Sequence, residues 1–289
     1  MGEPLWALAA GCVPEADPWD IPRIAASAGF LSSGMWVDPK QSWNNAALSK
    51  TKLSLQETGI QLVDVEAAWL ETTDHANDLH KIIVEAGLEL GARNLLVVSR
   101  HEEYSASVSQ FIDICNMAQD KLRVCIEFGE FTSIKSLSAA RKFIEDVNHP
   151  SAGILIDLMH LNRAGDSLPQ IESSLFPYIQ ACDFWQSSAL KSGTDYITAA
   201  VDERCCLGEG EASVSEVAEV CNSEADVSLE IRSANLRDKY KDHEFYQATV
   251  DFCEKYDQSS FDPNYKSLPL DYFAPMVKKI FSRKPYSHF

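Results

Sequence analysis

The sequence predicts an α/β fold in which eight strand-plus-helix units close into a (β/α)8 (TIM) barrel. Three observations lead there: eight short, almost wholly apolar runs; amphipathic helical stretches between them; and no Gly-rich phosphate turn after any run. The runs are LWALAAGCV from Leu5, LSSGMWV from Leu31, IQLVDVEAAWL from Ile60, NLLVV from Asn94, RVCIEF from Arg123, AGILIDL from Ala152, YIQACDF from Tyr178 and DVSLEI from Asp226. Continuous apolar character is what parallel strands covered on both faces require. Between them, Leu79, Ile82, Ile83, Ala86 and Leu90, and then Val108, Phe111, Ile112 and Cys115, recur at spacings of three and four, the stripe of a helix lying on a sheet. A doubly wound sheet has fewer strands and a G-x-G-x-x-G turn, which is absent here, and no short repeat suggests a solenoid.

The predicted organisation is one barrel over residues 1–257 with an extension over 258–289. The extension carries Pro263, Pro269, Pro275 and Pro285 and one helical stretch from Tyr272 to Phe281, and is expected to pack on the barrel or on a second copy of the chain in a homo-oligomer. At 289 residues and 45% hydrophobic content, one large core is within reach. The N-terminus has no basic stretch ahead of its short apolar run, so it does not read as a signal peptide, and nowhere do ~18 apolar residues follow one another as a membrane span needs. A cytoplasmic protein with no membrane partner is the expectation. The eight cysteines form no C-x-x-C pair and fall largely within apolar runs, which predicts buried free thiols. A net charge of -18 disfavours nucleic acid, whose binding rests on a basic footprint, and favours divalent cations locally.

Chemistry in this fold collects where strands end. Glu127 closes VCIEF, Asp157 closes GILID, Gln180 and Asp183 lie in YIQACD, and Glu230 closes VSLEI, so the last four runs end in oxygen-bearing side chains. A lone acid at such a place is commonly a helix cap or a solvated charge. Four successive strand ends are better explained by a shared cation, which offsets the desolvation of each carboxylate. Oxygen ligands suit Mn or Mg, with Co also compatible, better than a sulfur-rich zinc site. His160, three residues after Asp157, reads either as a satisfied polar group or as a substrate contact. The segment DERCCLGEGEAS likewise has two readings: a glycine-permitted turn, or a ligand loop in which Arg204 offers a forked cation while Gly208, Glu209 and Gly210 bring backbone close. Trp6, Trp36, Glu66 and Trp69 are candidates for a wall over the substrate, or for core.

Taken in order, CIEFGE, GILIDLMHLNRAG, IQACD, ERCCLGEG and SLEIRS resemble the xylose isomerase-like TIM barrel superfamily of sugar isomerases, epimerases and dehydratases. The resemblance implies that Glu127, Asp157, Gln180 and Glu230 hold one divalent metal ion, and that Glu127 and Glu230 also act as the acid/base pair. It implies that His160, Asp183, Arg204 and Glu209 face a small polyhydroxylated substrate. The family usually has histidine where Gln180 stands, within H-x-x-D; a neutral amide oxygen shifts the expected metal toward Mg or Mn. The chemistry implied is proton abstraction next to a carbonyl through an enediolate, giving isomerisation or epimerisation. Loss of a β-hydroxyl from the same intermediate would instead make the chain a dehydratase of an inosose or dehydroshikimate-like ring, and loss of catalysis through the Gln180 change would leave a ligand-binding barrel. The three-zinc DNA repair nucleases of the superfamily are excluded, because the histidines and basic surface they need are missing.

Overall fold

The computed structural model describes residues 4–72, 76–185, 193–207, 209–221 and 223–235; the C-terminal extension and its expected helix lie outside the described residues. In chain order the strands are β1 (Trp6–Leu8), β2 (Ser32–Ser33), β3 (Gln61–Leu62), β4 (Asp64–Leu70), β5 (Asn94–Ser99), β6 (Arg123–Glu127), β7 (Ala152–Asp157), β8 (Tyr178–Ala181), β9 (Asp183–Phe184), β10 (Arg204–Cys205) and β11 (Asp226–Leu229). The helices are α1 (Ile21–Ser27), α2 (Asn45–Thr58), α3 (Ala76–Leu90), α4 (Tyr104–Ala118), α5 (Leu137–Val147), α6 (Leu158–Arg163), α7 (Gly193–Asp202) and α8 (Val214–Cys221).

Nine of the strands form one parallel sheet in the order β3-β2-β1-β11-β8-β7-β6-β5-β4. The two ends of that order, β3 and β4, are parted in the chain only by Val63, so the third predicted run pairs on both sides and brings the sheet round on itself. A parallel bridge from Trp36 to Glu66 and the Val37 N–H donated to the Glu66 carbonyl (3.0 Å) continue that seam upward. The predicted barrel is therefore the observed one.

Local signals explain the helices. Asn44 Oδ1 accepts from the Ala46 and Ala47 N–H groups at the start of α2, and Gly59 ends it at φ 70. Ser136 caps α5 in the same way through the Ala139 N–H. Among the described residues no helix is long and apolar enough to cross a membrane. Among the described residues Cys12, Cys115, Cys125, Cys182 and Cys206 are buried, Cys205 is half-buried, and none of the six is in a disulfide.

The core has two parts. Ala7, Val63, Leu96, Val98, Cys125, Leu155 and Tyr178 come from strands all round the sheet yet pack together, which is geometrically open to them only inside the barrel. The larger apolar shell fills the space between strands and helices. Strand side chains alternate, so residues two places on share a face. Glu127 stands two beyond Cys125, Asp157 two beyond Leu155 and Gln180 two beyond Tyr178. The interior packing layer thus sets all three polar groups one level higher in the same lumen.

Several predicted strands are shorter than their apolar runs. The first ends at Leu8 and gives way to a 3-10 turn over Ala10–Cys12. The turn passes so close to the site that a Cβ on Gly11 would lie 2.7 Å from Glu230 Oε1, so any larger residue there would displace the Glu230 side chain. The run from Leu31 retains two strand residues before it bends over the barrel mouth. The run YIQACDF splits at Cys182, and its second piece, β9, pairs antiparallel with β10, matching Arg204 with Phe184.

Candidate functional site

A cavity of about 520 Å³ opens at the C-terminal end of the barrel and is lined by Glu66, Glu127, His160, Gln180, Arg204 and Glu230 among others. Every one of these six side chains belongs to a residue at most 6% exposed. Strand register explains their gathering: Asp157 pairs with Gln180, and Gln180 with Ser228, two residues before Glu230.

Asp157 is held from two sides. Its Oδ1 accepts the His160 N–H at 2.9 Å, capping α6, and its Oδ2 accepts from Arg204 Nη1 at 2.5 Å. The same Arg204 nitrogen lies 3.2 Å from Glu230 Oε2, while Arg204 Nε donates to the Ala200 carbonyl at 2.7 Å. The β9–β10 pairing carries Arg204 into this position. Burial works against the charge of Asp157, but Arg204 and the His160 contacts outweigh it and hold its carboxyl at about 2. Burial also raises Glu230, with Arg204 opposing the rise. Glu127 makes no ion pair with an arginine among the described residues; burial, then Asp157 and Glu230, push it well above the usual carboxylate range against the weaker pull of Arg204 and Arg232.

His160 Nε2 faces Glu127 Oε1 at 3.9 Å, and its Nδ1 is 2.7 Å from the Tyr196 hydroxyl, with the Phe131 ring 4.9 Å away. Burial depresses its basicity to about 4, which leaves a neutral imidazole with a lone pair at neutral pH. Glu127, Asp157 and His160 each offer a ligand atom, all within 4.8 Å of one another, a group able to hold a metal ion. Beside them, both the Oε1 and the Nε2 of Gln180 are buried without a hydrogen-bond partner. A buried amide with neither end satisfied is rare and expensive, and a cation at its oxygen would satisfy it.

Two further carboxyls deepen the negative charge. Asp64 and Glu66 alternate along β4; neither oxygen of Asp64 is hydrogen-bonded, nor is Oε1 of Glu66. Burial and then the nearby Glu230 raise Asp64 to about 8, and burial with Asp64 raises Glu66 well above its ordinary value. Against Asp64, Glu66, Glu127, Asp157 and Glu230, the neighbouring cations are Arg204 and Arg232. The donor set and its excess negative charge fit a hard divalent ion.

Glu127, Asp157, Gln180, Glu230, His160 and Arg204 are thus brought together. Asp183 and Glu209, expected from the sequence to face substrate, are not among the cavity-lining residues. Asp183 Oδ1 instead accepts the N–H groups of Phe184 and Ala212, both at 2.8 Å, and Glu209 Oε2 accepts the Cys206 N–H at 3.3 Å. Short polar side chains satisfied by nearby backbone in this way brace loops. Gly208 lies outside the described residues. His101, after β5, is occupied with Thr72 Oγ1 at 3.1 Å and the Glu103 N–H at 3.2 Å. Tyr196 and Asp64 were missed by the sequence reading. Tyr196 has no sequence signal, whereas the Asp-x-Glu alternation in DVEAAWL could have placed Asp64 beside Glu66 on one strand face.

No family model matches the chain, and no curated protein is similar to it in sequence. Solved structures do match. One is the IOLI protein with a bound zinc atom (13% identity, TM-score 0.67, covering 96% of this chain and 98% of that one). Another is D-allulose 3-epimerase from Methylomonas sp. in complex with D-allulose (15% identity, TM-score 0.64, 98% of each chain). A third is the probable 3-DHS dehydratase AsbF of Bacillus anthracis (15% identity, TM-score 0.65, 81% of this chain and 95% of that one). The chain also spans 39% of a longer fusion of a xylose isomerase-like TIM barrel with 4-hydroxyphenylpyruvate dioxygenase, at 16% identity and a TM-score of 0.65. At these identities the likeness establishes the fold.

Proposed function

This chain has the fold of the xylose isomerase-like TIM barrels, and from that premise we propose that it is a divalent-metal-dependent isomerase or epimerase of a small polyhydroxylated ketose or sugar derivative. The observation that carries the reading is the meeting, in one cavity, of two buried glutamates, Glu127 on β6 and Glu230 just after β11, three strands apart around the barrel, with Glu127 itself part of the metal-capable group that it forms with Asp157 and His160. Glu127, Asp157 and His160, with the Gln180 amide oxygen and Glu230, are the residues that would hold the ion, His160 joining a set for which the sequence had assigned it to substrate. When bound, the ion supplies Lewis-acid polarisation of adjacent carbonyl and hydroxyl oxygens.

The protein's own groups do the rest. Arg204 sits against Glu230, favours its ionised form and makes it the base for a proton next to a carbonyl. Glu127, reaching in from β6, returns a proton from another direction. Tyr196, hydrogen-bonded to His160, fixes the orientation of that ring. The depth of the site keeps water from the enediolate.

A second reading, a dehydratase, is favoured by the likeness to the AsbF structure. One experiment separates the two. With Mn present in D2O, a panel of ketoses and inososes is followed by proton NMR and ultraviolet absorption. Deuterium appearing at the carbon beside the carbonyl, without a conjugated-enone band, is the expected outcome. An enone band transfers the assignment to the dehydratase, and neither signal with any substrate, on metal-loaded protein, overturns both.

A further inference from the structure

The cavity is chemically lopsided. Its floor is acidic, while its rim, formed by the segments after β2, β4, β5 and β11, carries Lys40, Arg100 and Arg232 beside Trp36 and Trp69. The Arg100 guanidinium lies 3.6 Å from the centre of the Trp69 ring, and that of Arg232 lies 6.0 Å from the centre of the Trp36 ring. None of the three cations makes an ion pair with a carboxylate among the described residues, in a chain with 43 acidic residues to 25 basic ones. Two rim groups are also buried and unsatisfied: Nε of Arg232 and Nε1 of Trp36. Both are N–H donors with no accepting capacity. The unsatisfied groups on the floor, Glu66 Oε1 and the Gln180 amide, include the acceptors.

We propose that this rim is an oxyanion subsite, so that the substrate is an acidic sugar whose polyhydroxylated carbonyl end enters the floor while a carboxylate or phosphate at its other end is held by Arg100, Arg232 and Lys40. Donor-only groups and guanidiniums beside indole rings are matched by an acceptor-only, negatively charged group, and stacking on Trp69 holds the Arg100 fork in place before the ligand arrives. A neutral sugar would leave the Arg232 and Trp36 N–H groups facing hydroxyls at best. The surface of a chain carrying a net charge of -18 repels anions on average, so a local cationic rim serves to select them. This inference rests on reading the cavity as the substrate site.

The test is binding. D-fructose, D-fructose 6-phosphate and D-fructuronate are titrated calorimetrically into the purified full chain, and into its Arg100→Gln and Arg232→Gln variants, with bound metal measured on each sample. At least one anionic sugar is expected to bind about tenfold or more tightly than D-fructose, and each variant to remove most of that preference, with D-fructose affinity unchanged in Arg100→Gln. Which anion wins distinguishes a sugar acid from a sugar phosphate. Equal affinities, no binding by any of the three, or variants that weaken all three alike would overturn the subsite. Should Arg232→Gln fail to fold, Arg100→Gln, on the exposed side of the rim, gives the same reading. A metal-free protein that still prefers the anion removes the isomerase assignment and leaves the subsite; a metal-loaded protein without the preference does the reverse.

Discussion

Replacing Arg204 with methionine is expected to destabilise the metal-free protein by about 3–5 kcal/mol, because it strips the counter-charge from a buried carboxylate pair. Arg204 is 3% exposed and bridges Asp157 and Glu230 from a single nitrogen. Methionine retains the volume, so the loss reports charge and hydrogen bonding rather than a cavity. For a chain of 289 residues the change lowers Tm by about 5–8 °C. Saturating Mn should recover part of the loss, since a divalent ion among the same carboxylates supplies the missing positive charge. The measurement is thermal unfolding followed by circular dichroism, with and without Mn. An unchanged Tm in the metal-free variant would mean that these carboxyls are protonated in the folded chain and do not rely on the guanidinium.

Substituting Glu127 or Glu230 with glutamine is expected to lower turnover by about 10²–10⁴-fold each, the range for loss of a positioned acid or base. The amide is isosteric and neutral, and burial already raises both carboxyls, so the fold should persist. The two variants are expected to differ in isotope exchange. The one that keeps the abstracting base continues to wash deuterium into substrate without completing conversion, whereas the other shows neither. Because Arg204 supports the ionised form of Glu230, exchange at a Mn concentration that saturates both variants should survive in Glu127→Gln and vanish in Glu230→Gln. The reverse pattern would exchange the two roles while keeping the pair.

The sequence placed residues at the barrel mouth where the chain's own patterning constrains them. An apolar run followed at once by an acid marks the top of a strand, and Glu127, Asp157 and Glu230 were legible for that reason. Gln180 was legible because it occupies the matching place in its run, at i+2 from Tyr178 in the lumen. What escaped depends on tertiary geometry. The first run reads as strand through Val13, yet the chain turns at Ala10, and the turn brings Gly11 up against the Glu230 side chain. Tyr196 reaches His160 from α7, a distance along the chain that no periodicity connects. Asp183 and Glu209 carry the right chemistry for a site, but neighbouring backbone N–H groups claim their carboxylates first. Arg204 was expected to meet substrate; in the structure its Nη1 bridges the Asp157 and Glu230 carboxylates at the floor.

The reading depends above all on a metal ion among Glu127, Asp157 and His160. Metal content of the purified protein by mass spectrometry, compared with Glu127→Gln and Asp157→Asn, tests this most directly. About one divalent ion per chain in the wild type, falling several-fold in both variants while circular dichroism confirms the fold, is the expected result. Wild-type protein that retains no ion even after incubation with excess Mn would contradict the account and leave a barrel whose buried carboxylates serve another purpose.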